Sequence, residues 1–208
     1  MAVTKVNYGH PPTLTIGDAG AEDTKIVFDG NAQDFHIGLD DTDDDLKIGL
    51  GSALGTTTHM SFDEDGAILK LLQPSFSVLP ASIQSDFALD SYVTVVWGTE
   101  VFDIGGDFAT NTFTAPVTGK YMLAVLMRLN TLDSAAAYYR LTINTSNRDY
   151  DTLFDPDFGQ DASYWDFQMA VVADMDASDT AHVTIRQSSG TQQSDIHTAS
   201  RFMGYLLG

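Results

Sequence analysis

Apolar and polar residues alternate in short bursts through the first third of the chain. The segments LTIGD (14–18), KIVFDG (25–30), FHIGL (35–39), LKIGL (46–50) and HMSFDEDG (59–66) each hold a few strand-like residues followed by Gly or Asp. Period-two alternation closed by turn residues predicts β-strands. The segments recur about every eleven residues, and an Ile-Gly step returns at Ile16-Gly17, Ile37-Gly38 and Ile48-Gly49, so they read as a repeat. Strands this short cannot bury their apolar side alone. Neighbouring units, including other copies of the chain, would have to share a core with them.

The stretch LKLLQPSFSVLPASIQS (69–85) breaks the rhythm. Pro74 and Pro80 forbid a long helix, and the stretch reads as a semi-extended, partly buried connector. From about Phe87 the bursts lengthen. YVTVVW (92–97), TFTAP (112–116), GKYMLAVLMRLN (119–130), AYYRLTINT (137–145), SYWDFQMAVVADM (163–175), AHVTIRQ (181–187) and RFMGYLLG (201–208) are strand candidates separated by turn clusters. No convincing helix intervenes, which predicts a β-sandwich or jelly roll. The expected division is a β-repeat segment at 1–70, a Pro-containing connector at 71–86 and a sandwich domain at 87–208.

The segment 119–130 departs from simple alternation. Its odd side carries Tyr121, Leu123, Val125, Met127 and Leu129, and its even side carries Met122, Ala124 and Leu126 before Arg128 and Asn130. A sandwich strand with one wet face alternates cleanly. Here the odd side is assigned to the core. The even side, apolar and then polar, is assigned to a subunit interface centred on Met122, Ala124 and Leu126 and running out to its rim.

Composition narrows the partners. With 29 acidic and 10 basic residues among 208, the formal charge is −19. Nucleic acid is not an expected partner, because phosphate binding needs clustered Lys and Arg. An anionic membrane surface is disfavoured for the same reason. The apolar run from Tyr121 to Met127 is too short to insert in a bilayer. There are no cysteines, so disulfides, thiolate metal sites and cysteine nucleophiles do not arise. MAVTKVNYG lacks the apolar centre of a signal peptide, so cytoplasmic synthesis without a cleaved signal is expected.

Chemistry is offered in a few places and weakened in each. Asp41, Asp43 and Asp45 imitate the start of a helix-loop-helix calcium loop, but Leu46 stands where Gly is required and Ser52 where Glu is. An acidic turn between two strands accounts for them. GLGSALG (49–55) has its third glycine one place late for a nucleotide loop and reads as a glycine-rich corner. Asp155, Asp157 and Asp161 are the remaining oxygen cluster, of a kind that suits calcium. The histidines at 10, 36, 59, 182 and 197 show no ligand spacing. Gly-x-Ser-x-Gly is absent. No catalytic or cofactor-binding residue is assigned.

Two resemblances sharpen this reading. VFDIGGDFATNTFTAPVTGKYMLAVLM resembles the signature of the globular head of complement component 1q, at Phe113, Thr114, Ala115, Pro116, Gly119 and Tyr121. The closing SRFMGYLLG resembles that family's last strand at Ser200, Phe202, Gly204, Tyr205, Leu206 and Leu207. Departures fall at Leu123 and Val125, where the family has aromatics, and at Gly106, where an aromatic is usual and Phe108 lies nearby. The resemblance implies a ten-strand jelly roll of the tumour-necrosis-factor type, a compact homotrimer used for binding. The segment 13–57 resembles repeat segments of tail-fibre-like structural proteins of marine bacteriophages. That implies a trimeric β-stem, a place on the virion surface, assembly in the host cytoplasm and contacts to other virion proteins through the N-terminal segment.

Together these give an all-β chain, a short-strand repeat stem followed by a jelly-roll sandwich. The expected role is a non-enzymatic homotrimeric short fibre or spike whose knob contacts a host surface glycan or protein. A head fibre or decoration protein is the nearest alternative. A secreted bacterial complement-like lectin and a capsule-degrading enzyme are the alternatives of other classes.

Overall fold

The computed structural model of the chain describes residues 15–208, and every structural statement below concerns those residues. The chain divides into two compact units, with the boundary between Leu72 and Gln73.

The first unit is a five-stranded antiparallel meander: β1 (Thr24–Phe28), β2 (Phe35–Asp40), β3 (Asp45–Leu50), β4 (Thr58–Phe62) and β5 (Ile68–Leu69). Four of the five expected segments appear as strands. Of the fifth, LTIGD, residues 15–18 are not a strand and Leu14 lies outside the described residues. The acidic run closes the β2–β3 hairpin. Asp44 takes a left-handed φ of 58°, and the Thr42 amide donates to Asp40 Oδ1 at 3.1 Å. Asp is favoured at such positions because its short side chain satisfies a nearby amide and tolerates positive φ.

Period-two alternation gives this sheet two unlike faces, and the register lines them up in rows. Ile26, Ile37, Ile48 and Met60 are cross-strand neighbours. Phe28, Phe35 and Leu50 form a second row, and Leu39, Leu46, Phe62 and Ile68 a third. The opposite face carries His36, Gly38, Asp40, Asp45, Lys47, Gly49 and Ser61, and it is this face that is buried. The segment 51–57 folds back on the sheet, with the Gly51 amide donating to the Asp34 carbonyl at 2.8 Å and the Leu50 amide to the Thr57 carbonyl at 2.9 Å. A side chain at Gly49 would collide with the Thr57 carbonyl and with the His36 ring. That explains the Ile-Gly step there: the isoleucine faces outward and the glycine lets the returning loop approach.

The second unit is a sandwich. Its strands are β6 (Ser75–Leu79), β7 (Val93–Thr94), β8 (Thr99–Ile104), β9 (Phe108–Ala109), β10 (Thr112–Thr114) and β11 (Gly119–Leu132). They are followed by β12 (Tyr138–Thr145), β13 (Asp149–Phe154), β14 (Ala162–Met175), β15 (Thr180–Ser188), β16 (Asp195–Ile196) and β17 (Arg201–Leu206). One sheet runs β13-β12-β15-β10-β9, with β7 also on β15, and the other runs β14-β11-β17-β6-β8, with β16 also on β11. Apart from the β12–β13 hairpin, successive long strands from β10 onward alternate between the two sheets. The two antiparallel sheets are consistent with the jelly roll expected from the sequence, though the strands number twelve rather than ten.

The expected connector at 71–86 is corrected in part. Residues 75–79 form β6, an interior strand paired to β17 on one side and β8 on the other. Pro74 and Pro80 sit at its two ends, where a missing amide interrupts no ladder bond. The unit boundary therefore falls well before residue 87.

The core lies between the sheets. Phe76, Phe113, Tyr121, Tyr139, Leu141 and Phe202 are each at most 1% exposed. The signature residues meet there: Phe113 lies 4.7 Å from Phe76 and 5.4 Å from Tyr121 between ring centroids. Burial pushes the Tyr121 hydroxyl above the ordinary tyrosine pKa, and that hydroxyl donates to the Val117 carbonyl at 2.7 Å. Each such aromatic contributes roughly 2–3 kcal/mol relative to an exposed one.

Candidate interaction surfaces

The two outer faces of the sandwich differ in chemistry, and the difference begins with β11. Its odd residues Tyr121, Leu123, Val125, Met127 and Leu129 are all buried in the core. Its even residues Met122, Ala124 and Leu126 are half-buried on the outer face. The register extends that face sideways. Met122 lies between Val172 of β14 and Tyr205 of β17. Ala124 lies between Ala170 and Met203, and Leu126 between Gln168 and Arg201. Val172 and Tyr205 are 52% and 48% exposed, so the first row is open. Phe102 of β8, 46% exposed, continues the second row through Ser77.

The face ends at an ion pair. Arg128 Nε and Nη2 donate to the two oxygens of Asp166 at 2.8 and 2.7 Å, a two-pronged contact. The Arg128 hydrogen bond holds the Asp166 carboxyl below the usual carboxylate range. The apolar patch is thus closed on one side by a charged pair.

The other outer face is polar. Arg140 and Arg186 are direct cross-strand partners, as are Thr142 and Thr184, and Asn144 and His182. The Thr184 hydroxyl donates to Asn144 Oδ1 at 2.8 Å. Above the arginines, Arg140 Nη1 donates to the Tyr92 hydroxyl at 3.0 Å, and that contact raises the arginine pKa. The guanidinium carbons lie 5.5 Å (Arg140) and 5.8 Å (Arg186) from the Tyr138 ring centroid. Asp151 and Asp90 approach the two arginines at 3.5 Å each, long enough to leave donors free. Two of the chain's five arginines thus stand side by side against aromatic rings. That pairing suits an anionic, ring-bearing ligand. No feature of the sequence beyond two strand-borne arginines announced it, because Tyr92 arrives from a distant segment.

The metal candidates do not come together. Asp161 accepts from the Ser134 amide and hydroxyl, both at 2.9 Å, and from Gln193 Nε2 at 2.9 Å. The Ser134 amide is the largest of the contacts that depress its pKa. Asp155 instead accepts from the Asp157 amide at 3.1 Å, a local turn contact. Among the described residues no group of three His, Cys, Asp or Glu is placed to hold a metal ion. Asp155, Asp157 and Asp161, the oxygen cluster that the sequence offered, are not gathered into one group.

In the acidic hairpin, Lys47 Nζ donates to Asp40 at 2.7 Å and also to Asp43. Its hydrogen bond holds the Asp40 carboxyl below the usual carboxylate range. Desolvation alone would lower the Lys47 pKa, but the bonds to Asp40 and Asp43 outweigh it and hold the ammonium above its ordinary value. Asp45 accepts from the Ser61 hydroxyl at 2.6 Å. Of the histidines, His36 Nδ1 donates to the Gly51 carbonyl at 2.9 Å, and His10 lies outside the described residues.

No protein-family model matches the chain, and no curated protein matches it. Solved structures do resemble it. The globular domain of zebrafish complement 1qA matches at 17% identity and a TM-score of 0.47, over 65% of this chain and 98% of that one. Murine APRIL matches at 14% identity and a TM-score of 0.49, over 65% of this chain and 99% of that one.

Proposed function

We propose that the chain is a non-enzymatic homotrimeric structural protein of a bacteriophage virion, a short fibre or spike. In this reading the sandwich is an exposed knob that contacts the host surface. The N-terminal unit joins the knob to other virion proteins. The observation that carries the assembly is the contrast between the two outer faces of the sandwich. One is apolar around Met122, Ala124 and Leu126 and ends at Arg128–Asp166, and the other is polar. A sandwich that buried only its own core would leave two wet faces. The virion setting rests on the resemblance of residues 13–57 to phage repeat segments.

The polar face would then point outward, with Arg140, Arg186, Tyr92 and Tyr138 available to a carboxylate-bearing glycan. Attachment at the tail or at the head are the two forms of this role. Antibody-labelled virions imaged by electron microscopy would separate them. Label on neither structure would remove the virion role. Light scattering on the purified chain tests the trimer independently.

A further inference from the structure

The first unit is built inside out. Every buried apolar residue among those described lies at Phe76 or later in the chain. What the first unit buries is polar: His36, Asp40, Asp45, Lys47, Thr58 and Ser61. Its apolar face is open, with Phe28 60%, Ile68 62%, Leu39 44%, Phe35 42%, Leu46 39% and Phe62 37% exposed. A small unit without an apolar core does not hold a fold by itself.

We infer that this face packs against the same face of the other copies of the chain, so that the apolar rows of β1 to β5 form a core shared between subunits. The inference rests on the homotrimer proposed above and names the surface through which its N-terminal units assemble.

Three observations select copies of the chain as the occupant. First, the unit needs its apolar face covered whenever it is folded, and a cover always present in matching amount is another copy. Second, the three rows contain no charged residue. The unit's acids lie in turns and on the buried polar face, so joining like faces opposes no like charges in a chain of charge −19. Third, the area is sufficient. With large apolar side chains at on the order of 200 Å² each, these six open fractions amount to roughly 570 Å² per copy, and Ile26, 41% exposed in the central row, brings the total to roughly 650 Å², approaching the about 800 Å² per partner of a standard interface. Burial on that scale would supply the core that the unit lacks.

The absence of cysteine allows a clean test on the 208-residue chain. Ile48→Cys places one thiol in the central row, and Glu64→Cys places one in the β4–β5 turn as a control. Each is treated with a short bis-maleimide, and the mass of the untreated protein is measured by light scattering. The expected result is a trimer by scattering, with Ile48→Cys giving covalent dimers and trimers on a denaturing gel and Glu64→Cys giving mostly single chains. If Ile48→Cys does not fold, Met60→Cys in the same row replaces it. A trimer in which neither row thiol cross-links overturns the shared core and leaves the knob trimer standing. A monomeric chain overturns both.

Discussion

Phe76 stacks on Phe113 across the sandwich, with ring centroids 4.7 Å apart and planes 22° from parallel. Phe76 comes from β6, ahead of the point at which the sequence pattern places the start of the domain. A fragment beginning at Gln73 should therefore unfold cooperatively. One beginning at Ser85 should not fold, because it loses Phe76 and Val78 from the core and the ladder partner of β17. Each lost core side chain costs about 2–4 kcal/mol. Thermal melts by circular dichroism compare the two. A folded fragment from Ser85 would mean that β6 is dispensable.

Gly204 lies under the same cluster. A methyl group there would sit 2.7 Å from the Phe76 ring and 2.8 Å from Leu123, both held in the core. Gly204→Ala should cost about 1–3 kcal/mol through overpacking. Chemical denaturation measures it, and an unchanged midpoint would show that the cluster has room.

Lys47 governs the acidic hairpin of the first unit. Lys47→Met leaves Asp40 and Asp43 without their donor and should destabilise β2–β3 by about 1–3 kcal/mol. The pH dependence has a defined sign. Asp40 is depressed in the fold, so its contribution is present above the ordinary carboxylate value of about 4 and is lost as pH falls through the lower folded value. Lys47 is raised, so its contribution is present below about 10.4 and is lost as pH rises through the higher folded value. Hydrogen exchange at residues 35–50, corrected for intrinsic rates, should show both limbs in the native chain and neither in Lys47→Met.

Asp161 ties the loop at Ser134 to Gln193 through three hydrogen bonds. Asp161→Ala should lower Tm by the same amount with and without calcium. A calcium-dependent rise in Tm that this variant abolishes would restore the metal reading.

The strands of the first unit were legible because their alternation is strict and their turns are rich in Gly and Asp. Which face would be covered was not legible. Period two separates Ile37 from His36 but cannot say that a loop from residues 51–57 will bury the histidine. The two faces of β11 were legible for a related reason: its unbroken odd side could only be core. The strand at 75–79 escaped notice because two prolines argue against a helix yet fit the ends of a five-residue strand. Asp149–Phe154 escaped as well, its alternation masked by the surrounding acids. The Arg140–Arg186 pair depends on β12 and β15 being neighbours, a consequence of the jelly-roll winding that no local pattern carries.

Light scattering of the 208-residue chain, beside Val125→Asp and Leu126→Asp made in the fragment that begins at Gln73 and so lacks the N-terminal apolar rows, tests assembly through the apolar face of the sandwich most directly. Val125 is 1% exposed, and a charge there costs several kcal/mol and should abolish the sandwich. Leu126 is half-buried on the outer face, and a charge there is tolerated by a separated subunit but not by a closed one. The native chain should show three times its 22.5 kDa mass. Leu126→Asp should keep its far-ultraviolet signal with a mass shifted toward the single chain, and Val125→Asp should lose that signal. A native chain of single mass, or a Leu126→Asp fragment that remains a full trimer, would contradict the account.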